Sequence, residues 1–191
     1  MLYSEPGQYS KKESTDFHKG AITNVRQIRG YEGIHVSDDS NDVLIIGSGY
    51  DSQLISAVAN AKDHAQKIQV LGFPSLRPDM YQENVLRCVR AENELGADPL
   101  TRPHFAPAND PFVTASKISQ IVKKLDEIKP ITNLYLAPLS TKSQTIGFLL
   151  YYISELVGTN ASVLYPMHDQ YERETSMGMT RVWKYEIEFT D

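Results

Sequence analysis

The sequence predicts an α/β fold: a Rossmann-like three-layer sandwich on a mostly parallel sheet with a C-terminal edge strand. Three observations predict it. From Asp42 onward, short apolar runs alternate with longer amphipathic stretches, the pattern of parallel strands joined by crossover helices. The early runs are continuously apolar, as in strands buried on both faces. The last run, Val182 to Phe189, alternates instead, which marks a strand with one wet face at a sheet edge, antiparallel in the simplest arrangement.

The first strand is Val43 to Ile46, ending in Gly47-Ser48-Gly49-Tyr50-Asp51, and a helix follows from about Ser52 to Ala65 with Leu54, Ile55, Val58 and Ala61 on one face. The second strand is Ile68 to Phe73. Pro74-Ser75-Leu76-Arg77-Pro78 then makes a stiff turn, and a helix from about Asp79 to Leu95 is closed by Gly96. A third strand falls within His104 to Ala108, between Pro103 and Pro107. Its helix is announced by Asp110 as N-cap and Pro111 at the first helical position. Phe112, Ala115, Ile118, Ile121, Val122, Leu125 and Ile128 recur at helical spacing before Pro130 ends it. The fourth strand is Ile131 to Ala137, with a helix over about Lys142 to Val157 closed by Gly158. The fifth is Ser162 to Tyr165, and a polar loop runs from Met167 to Met179. Residues 1–41 are polar, weakly patterned and rich in turn formers. They are expected to be an N-terminal arm or connector without elements of its own, docking through Tyr3, Tyr9, Phe17 and Tyr31, ahead of a Rossmann-like α/β domain at 42–191.

At 191 residues and 41% apolar content the chain can bury one substantial core. Its net charge of −5 argues against an extended nucleic-acid surface. The single cysteine, Cys88, allows no internal disulfide and sits among Val85 and Val89 as a packing residue. No apolar run reaches the roughly 18 residues of a membrane span, and the expected setting is the cytoplasm. His18, His35, His64 and His104 show no metal-ligand spacing, so no metal is expected, and no cofactor either.

Ligands of an open parallel sheet bind outside the carboxyl ends of its strands, so the loops there supply the candidate residues. Ile131 to Tyr152, ITNLYLAPLSTKSQTIGFLLYY, carries the strongest signal, an apolar strand passing through a polar turn into an apolar helix. That helix start offers unpaired N–H groups and the positive end of a dipole. Ser140, Thr141, Lys142 and Gln144 stand beside it. A lysine in a first turn opposes the dipole, and two readings stay open: it meets an anion, or its stem covers an apolar neighbour. Arg77, held between prolines, suits a phosphate or a salt bridge to Asp79 or Glu83. His168, with Tyr171, Arg173 and Glu174, has the composition of an acid–base pair with an orienting cation, or of a solvated loop. Phe148, Tyr151 and Tyr152 belong to a core or an interface.

Two resemblances follow from these loops. Ser48-Gly49-Tyr50-Asp51-Ser52 resembles the Ser-Gly-Gly-X-Asp-Ser loop of ATP pyrophosphatases with one glycine missing, against the alternative of an ordinary turn capped by Asp51. Residues 131–152 resemble the CRISPR-associated Rossmann-fold (CARF) sensor domains, whose late strand leads into a Thr-Lys turn and an apolar helix. That resemblance implies a cyclic oligoadenylate ligand at a two-fold interface, with Thr141 and Lys142 on phosphate and Ser48 to Ser52 lining the same pocket. The leading expectation is a nucleotide- or phosphate-ligand-binding sensor or regulatory domain of an antiviral defence assembly, with a protein partner or homodimer. Two alternatives accompany it: a nucleotide-processing enzyme using Asp51, His168 or Glu174, and a structural subunit of a larger complex.

Overall fold

Val43, Leu44, Ile45 and Ile46 are all fully buried, which a strand achieves only when both faces of its sheet are covered. The computed structural model describes residues 1–9, 18–77, 80–82, 84–86, 103–171 and 176–188. Its elements are β1 (Leu2–Tyr9), β2 (His18–Gln27), β3 (Val43–Ser48), α1 (Ser52–Ala61), β4 (Gln66–Gly72), β5 (His104–Ala106), α2 (Pro111–Ile128), β6 (Leu134–Pro138), α3 (Lys142–Tyr151), β7 (Ala161–Tyr171) and β8 (Ser176–Lys184). Residues 80–82 and 84–86 are helical, while the rest of the helix predicted to Leu95, with Cys88, lies outside the described residues.

β5, β4, β3, β6 and β7 run parallel in that spatial order, and β2 adds an antiparallel edge beside β7. Numbered along the chain, the parallel strands lie in the order 3-2-1-4-5, compatible with a Rossmann-like fold. The pleat divides β3 between two cores. Val43 and Ile45 pack with Ile118, Ile121 and Phe148 of α2 and α3, and Leu44 and Ile46 pack with Ile55 and Val58 of α1.

α2 starts as its sequence predicts. The Asp110 carboxylate accepts from Phe112 N at 2.9 Å and Val113 N at 3.0 Å, with Pro111 in the first turn. Its predicted apolar stripe is buried only in the middle, at Ile118, Ile121 and Val122. Phe112 and Ile128 lie at the ends, where the sheet no longer covers them, and are 47% and 73% exposed. α3 approaches α2 closely because Gly147 carries no side chain; a Cβ there would stand 2.6 Å from Pro111 O and from Thr114 Cβ. α3 passes directly into a single π turn at Tyr152–Leu156, so the helix predicted to about Val157 has nearly its expected length but widens in its last turn. Phe148, Tyr151 and Tyr152 are core residues.

The two chain ends differ from expectation. Residues 2–9 and 18–27, predicted to lack elements, are strands. β2 is polar because it is an edge, and its pairing with β7 contains two register shifts, so no clean alternation marks it in sequence. The C-terminal strand is antiparallel, but it pairs with β1 in a separate two-stranded ribbon; the edges of the main sheet are β2 and β5. The predicted 167–179 loop is largely strand, since β7 continues to Tyr171 and β8 begins at Ser176. The ribbon is tied to the body by the Tyr185 hydroxyl, which donates to Asn109 O and lies 3.3 Å from Ser143 Oγ.

At the amino ends of the strands, the carboxylate of Asp42 is 2% exposed and collects four donors. Oδ1 accepts from the Thr132 hydroxyl at 2.7 Å and from Asn133 Nδ2 at 2.8 Å. Oδ2 faces the Tyr135 hydroxyl at 3.3 Å and His64 Nε2 at 3.2 Å. A carboxylate accepts only, so the Tyr135 proton points to Asp42 and His35 Nε2, 2.9 Å from the same hydroxyl, is the donor to it. Asn133 also clamps the connector after β2, accepting from Val36 N at 2.8 Å and donating to Val36 O and Asp38 O, both at 3.1 Å.

Burial alone pushes the Asp42 carboxyl up. The hydrogen bonds of Thr132, Asn133, His64 and Tyr135 outweigh it and hold the group below its ordinary 3.8. Burial, with Asp42 beside it, pushes the Tyr135 phenol up to about 12. Asp42→Ala strands these buried donors and is expected to cost about 3 kcal/mol, read by urea unfolding. Because the folded value is depressed, the carboxylate's contribution is complete above pH 3.8 and disappears as pH falls through the lower folded value. Acid unfolding followed by circular dichroism should therefore flatten in Asp42→Asn relative to wild type.

Candidate functional site

The carboxyl ends of β3 and β6 flank the point where strand order reverses, the usual ligand crevice of such sheets. Here the crevice is closed by the protein itself. Leu139 N donates to Gly47 O at 3.0 Å, and a Cβ on Gly49 would lie 2.1 Å from Leu139 O. The glycine that suggested close approach to a pyrophosphate instead allows close approach of another loop's backbone.

The first loop's polar groups are engaged within the fold. Ser48 is fully buried and donates to Gln69 Oε1 at 3.0 Å. Asp51, 3% exposed, caps α1 by accepting from Gln53 N at 3.1 Å and Leu54 N at 3.2 Å. Ser52 is the first residue of α1. In the fourth loop, Thr141 caps α3 by accepting from Gln144 N at 3.2 Å, and its hydroxyl donates to Ala108 O. Gln144 is fully buried, takes the Ser140 hydroxyl on its carbonyl and donates to Ala106 O at 3.0 Å. These bonds fasten the start of α3 to the turn between β5 and α2. Arg77 turns toward the N-terminal strand and donates to Gly7 O at 2.5 Å. His168 is partly buried within β7, in register with Ile22, and not on a loop. Arg173 and Glu174 lie outside the described residues.

An open pocket of about 340 Å³ lies beside this turn, on the face of the sheet that carries α3. Its apolar walls come from the segment after β2 (Ile28, Tyr31), from β7 (Val163, Tyr165) and from Leu149 of α3. Its rim is the end of β6 and the following turn, Pro138 to Ser140, with Lys142 and Thr145. Of the predicted ligand residues, Ser140 and Lys142 are therefore brought together at a cavity, whereas Ser48, Gly49, Asp51, Ser52, Arg77, Thr141 and Gln144 do not line it. Lys142 is exposed, and the first-turn N–H groups beside it have no acceptor within the helix.

Sequence reasoning placed Tyr31 in a docking arm and did not connect Tyr165 with the site. The connector holds Tyr31 in place: Ile28 N donates to Val163 O at 2.8 Å, Val163 N donates to Tyr31 O at 3.0 Å, and the Tyr31 ring packs 5.2 Å from that of Tyr152. No local pattern announces such pairing; the one available signal was an aromatic residue in an otherwise polar stretch.

Among the described residues, no group of three or more His, Cys, Asp or Glu is arranged to hold a metal ion, and no helix is long and apolar enough to cross a membrane. Comparison with protein-family models, curated proteins and solved structures finds no match. Gly49→Ala forces the first and fourth loops apart and is expected to destabilise the chain by about 1–3 kcal/mol in chemical denaturation.

Proposed function

We propose that this chain is a Rossmann-like three-layer domain that binds a nucleotide or another phosphorylated small molecule at the start of α3, and serves as a sensor or regulatory subunit of a larger assembly. The observation that carries the reading is the composition of the pocket: among the described residues Lys142 is its single cation, set at a helix N-terminus above aromatic and aliphatic walls. Lys142 draws the phosphate, while Tyr31 and Tyr165 offer surfaces to a ring. Binding without turnover is favoured because no carboxylate or imidazole lines the pocket among the described residues. Asp51 is occupied as a helix cap, and His168 lies elsewhere on β7. The resemblance to CARF sensor domains agrees with this reading and extends it to a cytoplasmic antiviral defence role.

A protein partner or a second copy is part of the proposal. The β1–β8 ribbon exposes Leu2 at 72% and Val182 at 55%, apolar side chains that an assembly would cover.

Thermal-shift measurements against mono-, di-, tri- and cyclic oligonucleotides test the binding, with chromatography of each mixture to detect turnover. Lys142→Ala should weaken a phosphate ligand by about 1.5–3 kcal/mol, roughly 10- to 150-fold, without changing the unliganded melting temperature appreciably. Stabilisation by no nucleotide at all would remove the reading; a consumed ligand would make the protein an enzyme.

A further inference from the structure

We propose that the pocket beside α3 takes a ligand with one phosphate on a ring-bearing body, a nucleoside monophosphate or a phosphodiester unit, and discriminates against di- and triphosphates. This rests on the anion-site reading above and narrows it by charge and space. Among the described residues Lys142 is the one cation of the lining, so a second and a third phosphate would bring charge that no other described lining residue neutralises. Arg77, the other cation predicted for the ligand site within the described residues, does not line the pocket and donates to Gly7 O in β1. A backbone cradle for a pyrophosphate is also missing at the β3–α1 loop, where Leu139 O occupies the space that Gly49 leaves open and Asp51 turns its carboxylate onto the α1 N-terminus.

The rest of the lining suits the uncharged part of such a ligand. At about 340 Å³ the cavity is near the lower end of small-molecule sites, roughly 300–1,000 Å³. Tyr31 and Tyr165 stand on its walls with Ile28, Leu149 and Val163, an apolar surface with nothing in it for a strongly hydrated polyphosphate tail. The Ser140 hydroxyl spends its proton on Gln144 and the Thr145 hydroxyl donates to Pro138 O at 3.5 Å, which leaves the Lys142 ammonium as the charged donor of the lining among the described residues.

Calorimetric titration of the full chain, without divalent cations, with inorganic phosphate, adenosine, AMP, ADP, ATP and the dinucleotide ApA tests this. AMP and ApA should bind best, adenosine and inorganic phosphate at least about tenfold more weakly, and ADP and ATP about tenfold more weakly for each added phosphate. Lys142→Gln should abolish the preference of AMP over adenosine. Tyr31→Leu should weaken AMP and leave inorganic phosphate unchanged. ADP or ATP binding as tightly as AMP, with the Lys142 effect intact, would overturn the single-phosphate assignment and leave the anion site standing. Binding of none of the probes would remove both.

Discussion

A carboxylate taken out of water at the amino end of β3 is the constraint on which the rest of this arrangement depends. Asp42 cannot stay charged in a buried position unless donors surround it, and they come from β6 and the residues just before it, and from the turn after α1. Those bonds hold β3 and β6 in one register. A one-residue slip of β6 would exchange its two faces and withdraw Tyr135 and Asn133 from the carboxylate together. Through Asn133 the same cluster holds the connector after β2, whose earlier residues supply the Tyr31 wall of the pocket at the other end of the sheet. Buried polar networks of this kind specify one arrangement more than they add stability.

The carboxyl ends obey a different economy. The crevice where strand order reverses is filled by backbone packed on backbone, Gly49 against Leu139, and the polar side chains of both loops cap helices or join neighbouring turns. Space opens instead beside β6 and β7, where the connector crosses and the side chains are aromatic or aliphatic. Lys142 belongs to that space because it follows the cap residue Thr141 and so escapes the network that absorbs Thr141 and Gln144.

Elements whose signals are local were legible in sequence. Asp110-Pro111 marks the start of α2 because a cap acts within three residues, and Val43 to Ile46 marks a doubly covered strand because burial on both faces demands an unbroken apolar run. The N-terminal strands were not legible. β1 finds its partner in β8 and β2 finds its partner in β7, pairings across most of the chain that leave no periodicity of their own when one strand is a polar edge with register shifts. Asp51 shows how a motif with two readings is decided: the same Gly-Tyr-Asp-Ser string suits a phosphate loop or a capped turn, and the cap requires only its own neighbours.

By itself, then, the sequence determined that five apolar runs alternate with helices, where α2 and α3 begin, and that a lysine opens α3, because each of these follows from forces acting within a few residues. The tertiary structure decided that the reversal crevice is closed, that the pocket lies beside it, that Tyr31 and Tyr165 share its walls and that Asp42 is buried among four donors. Each of these is a meeting of segments far apart in the chain, and the free energy that selects it resides in contacts that no single segment contains.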